Sequence, residues 1–294
     1  MASNLQVPFP PDPNPKTPCF TPPPGTCDTH FHIMGPPEVF PFVASRLYTP
    51  PAAPVEHYLQ MAKAIGVERG VMVMPAVHGF DNRVMHDAIA KAEGRLKGMV
   101  RANPNSTEAD NKTLNGQGVR GIRFNFRPSL EGKFDATEML GIIHRIRDQP
   151  WCVCLHIEAD LIVAHADLIR RIEMPVIIDH FGLVDPKKGI EQKAFKVVLD
   201  LLGEKHIWIK LATADRYMYA GESYADIVAL ARALVARAPD RTIWGTDWPH
   251  AYVYKAGHMI NDGDLISFML DYAPDETARR KILVDNPARL FGFG

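Results

Sequence analysis

No stretch of this 294-residue chain approaches the roughly 20 consecutive apolar residues of a membrane helix, which argues against a membrane protein. Charge of one sign is missing too. The formal net charge of −1 gives no ground for a nucleic-acid or membrane-surface partner. Cysteine is scarce: four residues, two of them in Cys152-Val153-Cys154 inside an apolar run, read as reduced core residues and not as a disulfide framework. The N-terminus lacks a basic start followed by an apolar core, so no secretory signal is expected and a cytoplasmic location is. A Gly-rich turn after the first apolar run, the fingerprint of a dinucleotide-binding sheet, is also absent.

What is present begins with proline. Nine prolines fall between Pro8 and Pro24, so residues 1–25 are expected to form neither helix nor sheet interior but an extended arm, ahead of one domain over residues 26–294. Beyond the arm, apolar strand-like runs alternate with helix-period segments. The runs are Thr26–Met34, Gly70–Ala76, Leu96–Asn103, Val119–Phe126, Trp151–Glu158, Pro175–Gly182, Ile207–Ala212 and Thr242–Pro249. Between them the spacing predicts helices such as Val55–Gly66, Asp81–Gly94, Asp135–Gln149, Asp160–Ile172, Glu191–Gly203 and Tyr224–Ala238, several opening on Asp and closing near Gly as caps require. Eight buried-type strands alternating with helices point to an α/β protein with a parallel sheet, closed as a (β/α)8 TIM-like barrel.

In such a barrel, function collects at the C-terminal ends of the strands. The first run carries His30 and His32, whose i, i+2 spacing places both imidazoles on one face of a strand. The second is followed by His78. The fourth holds Arg123 and Asn125, with Arg127 just beyond. The fifth ends in His156 and Glu158, the sixth in Asp179 and His180. The seventh leads to Arg216 and Tyr217, and the eighth ends in Asp247-Trp248-Pro249-His250. Turn-capping explains one polar residue at a strand end. Ionisable residues at seven of eight read as an active site.

The motifs then carry a resemblance. His30-Phe31-His32, Ile178-Asp179-His180 and Trp244-Gly245-Thr246-Asp247-Trp248-Pro249-His250 resemble the amidohydrolase superfamily. Gly121-Ile122-Arg123-Phe124-Asn125-Phe126, His78-Gly79-Phe80-Asp81-Asn82 and Asn286-Pro287-Ala288-Arg289-Leu290-Phe291 narrow it to the 2-pyrone-4,6-dicarboxylate hydrolase group of lactonases, from about Thr21 to the end. The resemblance implies a distorted amidohydrolase-type barrel that hydrolyses a cyclic ester, with Asp247 activating water. Lactone hydrolysis needs a base, an electrophile on the carbonyl and donors for the oxyanion; Asp247 suits the first, and His30, His32 and His180 the others, directly or around a metal. Arg123 and Arg216 match positions that hold substrate carboxylates in the resembling enzymes, with Arg127, Asn125, Tyr48 and His78 as further contacts. Guanidinium forks suit a small anionic lactone, such as 2-pyrone-4,6-dicarboxylate or a carboxy- or sulfomuconolactone.

Two departures leave the mechanism open. His156 stands where the resembling hydrolases place a tyrosine, and Ser129 where they place an additional arginine. His30, His32, His156 and Asp247 would give the three-nitrogen, one-oxygen set that zinc favours; alternatively His156 is a substrate donor and there is no metal. With zinc, a non-oxidative decarboxylase is an alternative. A lactone isomerase is another, although the resembling isomerases tend to carry Asn at the position of Asp247. A binding protein without activity would need no base. The sequence leaves the oligomeric state open between a monomer and a small homo-oligomer.

Overall fold

The computed structural model describes residues 5–127, 135–213 and 224–294, without the side chain of Tyr224. Eight parallel strands form one sheet in chain order: β1 Cys27–Phe31, β2 Arg69–Val73, β3 Leu96–Arg101, β4 Val119–Asn125, β5 Cys152–His156, β6 Val176–Ile178, β7 Ile207–Leu211 and β8 Thr242–Trp244. All eight expected runs are strands, and helices on the outside cover them. Thr107 and Asp110 close a capping box on helix Glu108–Gly116, and Asp135 caps Ala136–Ile146 through the Glu138 amide. The helix expected over 160–172 is instead two pieces, Ala159–Ala164 and Ala166–Arg170. His165, at φ −119° and ψ 20°, leaves the helical well and interrupts the ladder between them.

The sheet is nearly a closed barrel. β8 meets β1 through a single parallel bridge, Phe31 to Trp248. The Asp247 N–H donates to the His30 carbonyl and the His32 N–H to the Trp248 carbonyl, both at 2.8 Å. Below this seam, the Asp28 carboxylate accepts from the Thr246 amide (3.0 Å) and hydroxyl (2.6 Å). Gly245 is required at the seam: a Cβ there would lie 2.6 Å from the His30 Cβ and 2.7 Å from its backbone nitrogen.

Period-2 alternation sorts the strand residues. Inside the barrel, Cys27, Val71, Val73, Met99, Cys152, Cys154, Ile177, Trp208 and Ile243 pack into one apolar plug with Phe291. Residues of opposite phase, such as Met72, Val100, Ile122, Val153 and Ile209, pack outward against the helices. β1 breaks its own phase. A register shift between Asp28 and Phe31 turns Phe31 outward, where it stacks on Tyr58 with ring centroids 3.5 Å apart, although Cys27 lies in the plug. That bulge is what brings His30 inward.

The Pro-rich segment lies along the body. Gln6 bridges Tyr48, the Phe9 amide donates to Val253 O (2.8 Å), and the Lys16 amide donates to the Asn261 side chain (2.8 Å). Farther on, the Cys19 amide reaches the Ser267 hydroxyl and the Gly25 amide the Glu68 carboxylate. Among the described residues, no helix is long and apolar enough to cross a membrane.

Candidate active site

The inward phase of each strand runs upward from the plug into charge. Met99 is followed by Arg101, Gly121 by Arg123 and Asn125, and Cys154 by His156. Ile177 is followed by Asp179, Trp208 by Lys210, and Ile243 by Gly245 and Asp247. These side chains meet above the plug.

Asp179 lies at the centre and is fully buried. Its Oδ2 accepts from Arg123 Nη2 (2.7 Å) and Nε (2.9 Å), while its Oδ1 lies 3.4 Å from Lys210 Nζ and 3.3 Å from His30 Nδ1. Burial alone would raise the Asp179 carboxyl; His180, Lys210, His30 and Arg123 beside it prevail and hold it well below the usual carboxylate range. Burial pushes His30 well below the ordinary histidine range; Asp179 beside it opposes the shift and the Lys210 ammonium adds to it, and the ring is neutral at neutral pH.

Asp247 is the upper carboxylate. Its Oδ1 stands 3.4 Å from His30 Nε2 and 3.2 Å from His32 Nε2. His32 donates from Nδ1 to the Val73 carbonyl (2.7 Å), because a carbonyl oxygen only accepts. Its Nε2 contact with Asp247 is therefore a hydrogen bond only when the pair holds a proton between them. Both Asp247 and His180 adopt positive φ, 62° and 50°. Such strain in non-glycine residues, about 1–3 kcal/mol each, is found where tertiary structure overrides local preference.

A cavity of about 180 Å³ opens over this pair, lined by His32, Tyr48, Arg123, Asn125, Arg127, His156, His180 and Asp247 among the residues named from the sequence. His30 lies buried beneath it. His78 is elsewhere: its ring lies between the Gly35 amide (3.3 Å) and the Pro41 carbonyl (3.4 Å), supports that loop, and does not line the cavity. Arg216 and Ser129 lie outside the described residues. Arg127 pairs with Glu158 at 2.9 Å at the half-exposed rim. Arg123 spends Nε and Nη2 on Asp179 and on the His180 Nε2 (3.0 Å), which leaves its Nη1 edge for a ligand.

Three residues escaped the sequence reading. Arg101, at the end of β3, lines the cavity and fills the strand end that had seemed apolar. Asp179 was visible as a strand-end acid but given no role. Lys210 was passed over entirely; a lone lysine in the inward phase of the run Ile207-Trp208-Ile209-Lys210-Leu211 is the signal that marks it.

The donor atoms that converge, all within 4.8 Å among the described residues, belong to His30, His180 and Asp247. This corrects the set expected from the resemblance: His32 and His156 are not in it. His32 reaches Asp247 with its Nε2 while its Nδ1 donates to Val73, and the His156 ring packs against His180 at 5.1 Å. The three donors do not fit a divalent ion as arranged. Lys210 Nζ is 3.2 Å from His30 Nδ1 and Arg123 Nη2 is 3.0 Å from His180 Nε2, so two of the donors already face a cation, and an ion would add a third positive centre.

Comparison with known proteins agrees with this architecture. Residues 27–293 match the family profile described as amidohydrolase. The chain is 45% identical over 274 residues to a 4-sulfomuconolactone hydrolase of Hydrogenophaga intermedia, covering 93% of this chain and 90% of that protein. It is 34% identical over 287 residues to a 2-pyrone-4,6-dicarboxylate hydrolase of Comamonas testosteroni, covering 95% and 93%. A solved structure of a probable 2-pyrone-4,6-dicarboxylic acid hydrolase from Acinetobacter baumannii, with citric acid bound, superposes with a TM-score of 0.79 at 28% identity, covering 92% of this chain and all of that one.

Proposed function

The chain belongs to the amidohydrolase family, and from that premise we propose that it hydrolyses the ester bond of a small lactone carrying two acidic groups, of the sulfo- or carboxymuconolactone class. One observation carries the reading: the Asp247 carboxylate, held at 3.2–3.4 Å by two imidazoles, faces a cavity lined by Arg101, Arg123 and Arg127. A base and oxyanion donors are what ester hydrolysis needs, and three guanidinium groups suit an anionic substrate.

In this reading, Asp247 takes a proton from water as the oxygen attacks the lactone carbonyl. Ring N–H groups of the surrounding histidines receive the developing oxyanion. Collapse of the tetrahedral intermediate breaks the bond to the ring oxygen, which collects a proton through the His32–Asp247 pair and leaves as the hydroxyl of the opened acid. The Arg123 Nη1 edge and Arg127 hold the acidic substituents. Side-chain cations stabilise negative charge throughout, and no step passes through a metal.

The test is a lactone panel with sulfonated, dicarboxylated and neutral members, followed as acid release with the wild type and Asp247→Asn. Acidic lactones are hydrolysed and neutral ones are poor substrates. Asp247→Asn loses about 10²- to 10⁴-fold in kcat while still binding the acidic lactone. Near-normal turnover by Asp247→Asn, or preference for the neutral members, removes the reading.

A further inference from the structure

We infer that Lys210 is a positioning residue: its ammonium fixes the tautomer of His30, so that this buried imidazole presents an Nε2–H to the reacting carbonyl. Lys210 has no exposed surface and does not line the cavity. Its Nζ lies 3.2 Å from His30 Nδ1 with hydrogen-bond geometry. An ammonium has donors only, so Nδ1 is the acceptor, and in a neutral imidazole the ring proton must then sit on Nε2.

The competing arrangement is visible in the same site. Asp179 Oδ1 lies 3.3 Å from His30 Nδ1, and a carboxylate there would select the opposite tautomer, with the proton on Nδ1 and a lone pair on Nε2. The hydrogen-bond geometry favours the ammonium. Asp179 Oδ1 makes no hydrogen bond of good geometry among the described residues, and acts on the His30 ring chiefly as a nearby charge. Asp179 instead binds Arg123 through its other oxygen and holds Lys210 as a counter-ion at 3.4 Å. The carboxylate thus orients the ammonium, and the ammonium orients the ring.

The far side of His30 shows what the orientation is for. Nε2 is buried and makes no hydrogen bond, yet it is aimed at the space beside Asp247 Oδ1, 3.4 Å away. An unsatisfied buried N–H is a donor held ready for an oxygen that arrives later. His32 has the opposite tautomer, since its Nδ1 donates to Val73 O. The two histidines of the His-x-His pair therefore differ: His30 supplies a donor, and His32 turns the other face of its ring, Nε2, to Asp247 at 3.2 Å. The catalytic consequence for Lys210 rests on the lactonase reading, whereas the tautomer does not.

Nitrogen NMR of histidine-labelled protein separates the two, with the His30 signals assigned by comparison with His30→Gln. The wild type is expected to show a non-protonated Nδ1 and a protonated Nε2. Lys210→Met, which keeps the length of the side chain without the charge, moves the proton to Nδ1 and lowers kcat about 10²- to 10³-fold, with KM for the acidic lactone little changed. A protonated Nδ1 in the wild type overturns the inference, and that spectrum needs no variant to fold. So does a Lys210→Met protein with wild-type tautomer and kcat. If the wild-type tautomer is as stated but no lactone in the panel is hydrolysed, the lactonase reading fails and the role of Lys210 in setting the ring stands.

Discussion

Two levels of one barrel interior, built on the same strands, are held together in opposite ways. The lower level, with Cys27, Val71, Cys154, Ile177 and Ile243, is a dry apolar plug whose members need only fill space. One pleat higher, Asp179, Lys210 and His30 are buried just as deeply but hold one another and the cavity-facing Arg123 and Asp247 through charge and direction. In the plug any side chain of suitable volume serves. In the upper level each group is stable only because a named partner compensates its desolvation, so it is intolerant of single changes. The fold therefore separates stability from chemistry by about two residues along each strand.

The sharpest way to break this comparison uses two positions in one phase, one within β6 and one just past its end. Asp179→Asn leaves Arg123 and Lys210 without their carboxylate, and is expected to cost about 3–5 kcal/mol in denaturant unfolding and to abolish turnover. Ile177→Ala, one pleat below, should cost about 2–4 kcal/mol through its cavity while kcat stays unchanged. If Ile177→Ala damaged kcat as severely as Asp179→Asn, the two levels would not be separable.

A gentler probe is pH. Burial raises the Asp28 carboxyl from the ordinary aspartate value to about 7, opposed by hydrogen bonds from Thr246 and His30. A folded-state pKa above the unfolded one means that the folded protein binds this proton more tightly. The associated stability is present below pH about 4 and is lost as pH rises through 7. Asn mimics the protonated acid, so Asp28→Asn should flatten that decline in urea melts run between pH 5 and 8; an unchanged slope would assign the decline to another group. The smallest expected effect is that of chelation. With the positive charge supplied by Lys210 and Arg123, prolonged treatment with a chelator should leave kcat intact, and elemental analysis should find no stoichiometric metal.

Much of this was legible beforehand. Period-2 runs and capped helices gave all eight strands, and polar residues recurring at strand ends gave the position of the site. The His30–His32 spacing indicated convergence, and both rings do reach Asp247, although by way of a bulge that no alternation rule anticipates. His78 shows the limit of the method. It follows β2 as a site residue would, yet its ring turns to Gly35 and Pro41, because loop geometry and not strand phase sets its direction. Lys210 is the reverse case, a residue in a strand interior whose inward phase was readable but whose partner was not.

The sequence by itself determined the barrel, because hydrophobic period and turn chemistry are local properties that each segment carries alone. It also determined the chemical inventory of acid, histidine and guanidinium at the strand ends. Only the tertiary structure decided which of these meet. His30 and Lys210 are 180 positions apart, and closure of the sheet sets one against the other. That contact selects the His30 tautomer, and Arg123 on His180 likewise sets a guanidinium beside a second imidazole. Direction and partner are properties of the closed barrel, since hydrogen bonds and charge compensation depend on ångström distances that no spacing along the chain encodes.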